Sequence, residues 1–413
     1  MTLLPKQWRY RAPLGIAVAC LAWALFRMFE PVLTWSSGWQ PLPEQQAQAS
    51  SRSMPAWSGT AAQADALLAD VRQRLDAPAL SAAVMVDGEP VWAGAIGLAD
   101  IESGRAADLE TRFRIGSSSK AATAMAMGVL MQQGRVDIDK PVRAYLPELP
   151  SHYDAVTPRL AVSHRAGVPD YGLCLCFPIW EHRNQRHFDG VREALGVFDQ
   201  RPLLFAPGSG FRYSSYGSNL VGAVLEAAAG KPYGELLDEA VFKPLGMSRS
   251  RLDIRDAADP ARAGFYEVTE HRYKRSDPVD NSIRYPSGGL LSTPADMLLL
   301  GRAWMEEGRL LDAATRAQLT LPQKLADGSP NPQGYALGIR VAPQRELLQG
   351  QLRTPMLSHH GTAVGSTSYF AVYPEHRMVV SVMMNKGQEN LDVLAPEATR
   401  LTELFLAEAR KRR

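Results

Sequence analysis

The sequence predicts an α/β fold: an antiparallel sheet drawn from both ends of the chain, flanked by helices, with a mainly helical part inserted between. Three observations carry this. Near the start, Leu80–Val86 and Val91–Ile96 flank Asp87-Gly88-Glu89-Pro90; an Asp-Gly pair between two apolar runs is a hairpin signal. Near the end, Ala336–Val341, Met356–His360, Ser366–Tyr373 and Met378–Asn385 read as strands, and Pro374-Glu375-His376-Arg377 links the last two. Between Gly134 and about Asp280 helical patterns dominate. The α/β part is thus expected at about 60–125 and 281–413, and the helical part at about 126–280.

The 413 residues leave room for one large or two moderate domains. Apolar residues make up 46% and charged ones 21%, enough for a packed core. With 45 basic and 43 acidic residues the net charge is +2, which gives no case for a nucleic-acid partner. Three cysteines cannot form a disulfide framework, and Cys174 and Cys176 lack nearby partners for a metal site. Neither a cofactor nor a metal is expected.

Taken in order, the chain opens with Lys6, Arg9 and Arg11 ahead of an uncharged apolar run, Ala12–Phe26, with no acid before Glu30. A basic flank before an apolar run is the pattern of an export signal, cleaved or kept as an anchor. Either way the basic flank stays inside and the body is exported, periplasmic or otherwise extracytoplasmic. Residues 12–35 are then the possible anchor and the only membrane contact. A mitochondrial presequence is a further reading of the same pattern. Gln40–Ser58, rich in Gln, Pro, Ser and Ala, reads as a flexible tether within 36–59. Thr60 and Gln63 form a capping-box pair ahead of a helix carrying Leu67, Leu68, Val71 and Leu75. Further on, Ala263–Tyr273 looks extended, and the sheet is expected to resume after Gly288-Gly289. Thr293-Pro294-Ala295-Asp296 starts a helix, with threonine at the N-cap and proline at the first helical position. Asp392–Lys411 is an amphipathic helix with Ala398, Leu401 and Phe405 inward.

Phe113-Arg114-Ile115-Gly116-Ser117-Ser118-Ser119-Lys120 sits where a short apolar strand gives way to a helix. Residues three apart on a helix share a face, so Lys120 stands beside Ser117. A serine hydroxyl becomes a good nucleophile when a neighbouring group can take its proton. S-x-x-K alone is weak; the full octapeptide at a strand-to-helix junction is far more specific.

That octapeptide resembles the first motif of the serine β-lactamase and penicillin-binding superfamily, in its class C-like branch of β-lactamase-related serine hydrolases. The resemblance covers about residues 60–405 and implies the same discontinuous fold with the active site between its two parts. Tyr213 in Tyr213-Ser214-Ser215 matches the family tyrosine that works as general base and acid, with Lys120 holding its anion. Ser215 falls where many relatives carry the asparagine that contacts the amide of a β-lactam or peptide. His359-His360-Gly361-Thr362 matches the His-x-Gly form of the third motif. His359 is therefore expected beside the substrate carboxylate or the Tyr213 oxygen, with Gly361 letting substrate pass close to the strand. The oxyanion hole would be the backbone N–H groups of Ser117 and Thr362. Ser163-His164-Arg165-Ala166-Gly167-Val168-Pro169 and Ser287-Gly288-Gly289-Leu290-Leu291-Ser292 also resemble family strings, and both read as structural.

The expectation is a serine hydrolase that acts through a Ser117 acyl-enzyme on an ester, amide or peptide. The substrate is a small molecule or a peptide. A D-Ala-D-Ala carboxypeptidase or true β-lactamase is the alternative. An inactive binding or scaffold protein on the same fold is the alternative of another class. No G-x-S-x-G or H-E-x-x-H string occurs, which excludes the usual α/β-hydrolase and zinc-protease signatures.

Overall fold

Ala79–Val86 and Met378–Met384 lie side by side and antiparallel, Val84 opposite Val380 and Ala82 opposite Val382, so the two ends of the chain share one sheet. In this computed structural model the described residues are 8–34, 36–43, 49–173, 180–388 and 392–412. Cys174 and Cys176 lie outside them, as does Lys6. Across the main sheet the order is Arg340–Leu347, Leu352–Ala363, Ser366–Tyr373, Met378–Met384, Ala79–Val86, Glu89–Asp100, Ala49–Ser53, antiparallel throughout.

Side chains alternate across a strand, and the sheet uses both faces. Val84, Val380, Val382 and Met384 pack with Leu68, Val71, Leu401 and Phe405 of the helices Ser58–Arg74 and Ala395–Arg412. Met85, Phe370, Val379 and Met383 join the larger core on the other face. At its centre is the helix Ser119–Gln132, buried on all sides from Ser119 to Gly128. A helix apolar all round belongs inside a core, and this one fixes the residues at its own start. Short helices between 133 and 289, with Ser215–Ala229 the longest, pack around it.

Several local readings differ from the sequence expectation. Part of the expected tether is ordered by backbone pairing. Ala49–Ser53 is an edge strand against Trp92–Ile96, and Gln40–Pro41 pairs with Arg272–Tyr273. The first helix of the body begins at Ser58, without a side-chain cap, so Thr60 is inside it and forms no capping box. Leu290–Ser292 does not rejoin the main sheet; it pairs with Phe113–Arg114 and Arg251–Leu252 in a separate three-stranded sheet. The extended stretch at 263–273 is a hairpin of Tyr266–Thr269 and Arg272–Arg275. The strand placed at Ala336–Val341 starts only at Arg340, because a left-handed Gly338 turns the chain before it.

Ahead of the body runs the helix Trp8–Leu33, whose stretch Pro13–Glu30 is long and apolar enough to cross a membrane. Leu14, Ile16, Trp23 and Phe29 on it are exposed. Lys274 ties it to the body by donating to the Thr34 carbonyl at 3.2 Å.

Candidate active site

Ile115 donates its N–H to the Leu290 carbonyl, and the chain then turns through the 3₁₀ segment Gly116–Ser118 into the central helix. Gly116 has φ +49°, and a Cβ there would lie 2.6–2.8 Å from Thr362 backbone atoms, so only glycine fits. A Cβ on Gly361 would lie 1.9 Å from the Ile115 carbonyl oxygen. Gly361 is thus needed for strand and nucleophile turn to meet. Ser118 and Ser368 hydroxyls, 3.0 Å apart, and the bond from Ser368 Oγ to the Ile115 carbonyl fasten the turn to the sheet. The buried Arg114–Asp253 ion pair, at 2.7 Å, holds its other side. A 520 Å³ cavity lined by Arg114, Arg262 and Phe265 opens beside that pair, without Ser117, Lys120 or Tyr213 in its walls.

Lys120 is 1% exposed. Its Nζ donates to Ser117 Oγ at 3.1 Å and to the Ser287 carbonyl at 2.7 Å. Both partners are neutral, and burial, reinforced by the Arg284 charge, pulls the ammonium down to about 8 against the opposing influence of Tyr171 and Asp170. An amine that titrates there is poised to accept a proton near neutral pH.

Tyr213 lies on the loop before the helix Ser215–Ala229. Burial raises its phenol, with the neighbouring Ser117 hydroxyl and Arg340 opposing, so it stays protonated at neutral pH. The hydroxyl is buried with no aligned hydrogen-bond acceptor. Lys120 sits 5.0 Å from the ring centroid, over its face, rather than on the oxygen it was expected to hold. Ser214 caps the helix by accepting from the Gly217 N–H. Ser215 is buried, its N–H donated to Asp170 Oδ1 at 3.0 Å. Burial raises the Asp170 carboxyl, while that N–H and Lys120 oppose the rise.

His359 and His360 point to opposite faces of their strand, as alternation requires. His359 is fully buried. Its Nε2 lies 2.8 Å from the Tyr335 hydroxyl and its Nδ1 2.6 Å from the His360 carbonyl. The expected place beside the Tyr213 oxygen is taken by other groups: both ring nitrogens are occupied, and Tyr335 stands between the two residues, its ring centroid 5.8 Å from His359 and 6.2 Å from Tyr213. Burial, with His360 and the Lys120 and Arg340 charges, holds this imidazole neutral. His360 contacts Arg340 at 3.1 Å. The Thr362 hydroxyl is buried without a partner.

Four groups at the site escaped the sequence reading. The Ser287 carbonyl on Lys120 belongs to a string read as structural, and being backbone it carries no side-chain signal. His164, in the other such string, has its ring 4.3 Å from that of Tyr213 at a tilt of 40° and accepts from the Ser214 N–H through Nδ1. Tyr335 packs edge-on 4.4 Å from His164. Asp170 follows the Gly167-Val168-Pro169 turn with no motif of its own.

The Beta-lactamase family matches residues 64–403. The human mitochondrial serine beta-lactamase-like protein LACTB is 28% identical over 390 residues, covering 75% of this chain and 71% of that protein. A D-aminopeptidase from Gluconobacter oxydans is 28% identical over 330 residues, covering 78% and 59%. Among solved structures, an octameric penicillin-binding protein homologue from Pyrococcus abyssi superposes with a TM-score of 0.70 at 22% identity, covering 84% of this chain and 77% of that one. A serine beside a buried amine at the start of the central helix, on this fold and with this family match, makes the chain a member of the beta-lactamase family and a β-lactamase-related serine hydrolase.

Proposed function

We propose that the protein hydrolyses an ester, amide or peptide through a Ser117 acyl-enzyme. The observation that carries this is the 3.1 Å contact between Lys120 Nζ and Ser117 Oγ. The neutral Lys120 amine takes the Ser117 proton as Oγ bonds to the scissile carbonyl carbon, and the negative charge moves to the carbonyl oxygen. The backbone N–H groups of Ser117 and Thr362 receive that charge. Tyr213, a protonated phenol, gives its proton to the leaving atom as the bond to it breaks, and is reprotonated from the Lys120 ammonium. Water then attacks the acyl carbon and gives a proton to Lys120; as the bond from that carbon to Ser117 Oγ breaks, the proton passes from Lys120 to Oγ and the acid product leaves. Ser215 lines the site where the acyl part of substrate sits.

His359 supports Tyr335 rather than offering a cation to a carboxylate, and Ser215 offers a hydroxyl in place of an amide. Both features favour an ester, amide or peptide over a β-lactam as the working substrate. The apolar helix Pro13–Glu30 supports an exported protein, held at a membrane by that helix or released by its cleavage. Intact-mass analysis after exposure to a fluorophosphonate tests the chemistry: one adduct on Ser117 is expected in the wild type and none in Ser117→Ala. An unlabelled, folded wild type overturns the reading. Nitrocefin turnover at the rate of a dedicated β-lactamase overturns the substrate ranking. Recovery of the full chain in the cytosolic fraction overturns the export reading.

A further inference from the structure

The 520 Å³ cavity beside the Arg114–Asp253 pair has no part in the acyl-transfer chemistry, yet it is of the size that holds a small ligand. Two arginines of its wall meet over one carboxylate. The Arg114 side chain, 5% exposed, donates through Nε to Asp253 Oδ2 at 2.7 Å and through Nη1 to the Val364 carbonyl at 2.8 Å. Its Nη2 has no acceptor among the described residues. Arg262 brings its own Nη2 to 2.8 Å from Asp253 Oδ1, but that oxygen receives no aligned hydrogen bond. Both guanidiniums lie over the Phe265 ring, at 4.0 Å and 5.5 Å from its centroid. Burial works against the Arg114 cation and so does the Arg262 charge, with Asp253 opposing.

The other acids of the wall do not make up the difference. Asp100 pairs with Arg275 at 3.2 Å, Asp277 with Arg183 at 3.0 Å, and Asp259 with Arg112. Asp256, its side chain 92% exposed, stands 3.9 Å from Arg255. Each of these acids has a cation of its own, so one positive charge is left over where Arg114 and Arg262 share Asp253. Ala263, Phe265 and Val279 make the same wall partly apolar.

We propose that this cavity is an effector site, separate from the catalytic cleft, for a small organic anion: a carboxylate or phosphate monoester with an apolar body. The anionic oxygens pair with Arg114 and Arg262, since planar guanidinium donors match such groups, and the body lies against Phe265 and Val279. Arg114 carries the effect to the reaction. It stands three residues before Ser117, and through Nη1 it holds the carbonyl of Val364, two residues after Thr362. Filling Nη2 leaves its bonds to Asp253 and Val364 in place and fixes the guanidinium at all three nitrogens, which steadies both backbone donors to the oxyanion. That coupling rests on the Ser117 acyl-hydrolase reading; binding of the anion does not.

The test titrates the full chain with benzoate and phenyl phosphate at constant ionic strength, with benzamide as the uncharged control. One of the two anions is expected to raise the melting temperature saturably, by about 2–3 °C at a hundredfold excess over its Kd, and the one that saturates first tells which headgroup the site prefers. Benzamide should give no shift. Binding should weaken about tenfold or more in Arg262→Gln, the size of a charge-assisted contact, and be partly kept in Arg262→Lys. No saturable shift with either anion, or the same shift in Arg262→Gln, overturns the site. If the glutamine variant does not fold, phenylglyoxal modification of the wild type replaces it: slower reaction at Arg262 in the presence of the anion supports the site, and an unchanged rate overturns it. Fluorophosphonate labelling of Ser117 then reads the coupling. The bound anion should speed labelling about fivefold. An unchanged rate overturns the effector role, and a slower one puts the anion in the catalytic cleft and overturns the separate site. No labelling with or without the anion removes the acyl-enzyme and the effector role with it, while the melting shift still decides the binding site.

Discussion

The Tyr335 hydroxyl donates to His359 Nε2 across 2.8 Å, inside a region closed to solvent. The direction follows from the other nitrogen: His359 Nδ1 lies 2.6 Å from the His360 carbonyl, which can only accept, so Nδ1 carries the proton and Nε2 is the acceptor. Tyr335 is thereby pinned edge-on to His164, whose ring packs at a tilt against Tyr213. Removing the hydroxyl in Tyr335→Phe leaves a buried Nε2 unpaired, which should cost about 1–3 kcal/mol of unfolding free energy in urea titration. Since the pinned ring buttresses Tyr213, kcat should fall more than KM changes. A variant as stable as the wild type refutes the pairing.

Lys120 must lose its proton to act as base. With its ammonium titrating at about 8, kcat/KM should climb with pH to about 8 and then level off. Lys120→Arg, which cannot deprotonate, should lose about a hundredfold or more. The same depression acts on stability. An unfolded lysine holds its proton up to about 10.4, so between about 8 and 10.4 the unfolded chain binds more protons and unfolding becomes costlier as pH rises. Below that window the full penalty of the buried ammonium is present. Denaturation at pH values on either side, for wild type and Lys120→Met, should show the wild type alone gaining on the alkaline side.

Histidines work on the acid side. Burial depresses His164 and His359 far below the usual imidazole range, and holds His182 and His360 at about 4. Below about pH 6.5 the unfolded chain takes up protons that the folded one refuses, at about 1.4 kcal/mol per pH unit for each group. Stability present above that pH is therefore lost on acidification, and the melting temperature should drop steeply between pH 6.5 and 4. His360→Gln should flatten the slope. A melting temperature level across that range refutes the burial of these rings.

Gly361→Ala brings a Cβ to 1.9 Å from the Ile115 carbonyl oxygen. Backbone on both sides has to move, and such overpacking costs about 1–3 kcal/mol or more. Because Ser117 follows two residues after Ile115, fluorophosphonate labelling should slow even in protein that remains folded. Labelling at the wild-type rate refutes the close approach.

How much of this was legible in the residues depends on where the signal lives. Ser117 and Lys120 could be placed together because their string is local, three residues apart on one helix face, and Tyr213 sits within 5.0 Å of Lys120 measured to its ring centroid. The strands at 356–384 declare themselves through β-branched and aromatic runs. The order within the expected tether left no trace, since Ala49–Ser53 pairs through backbone groups and its polar side chains show no alternation to read. Tyr335 was silent for a different reason. A lone tyrosine gains its role only from what surrounds it, as Tyr335 does from His359, 24 residues away in the chain. For His359 the motif offered the substrate carboxylate or the Tyr213 oxygen as neighbour and could not announce Tyr335, because a motif identifies a residue without stating what stands in front of it.

Ser118 and Ser368 touch although 250 residues separate them, and the strand beside the nucleophile turn is itself closed by residues near the far end of the chain. A ribosome releases the serine long before it makes the wall that serine works against. A chain cut short before the last strands lacks the wall its serine faces, and is expected to show no fluorophosphonate labelling however well its first half has collapsed.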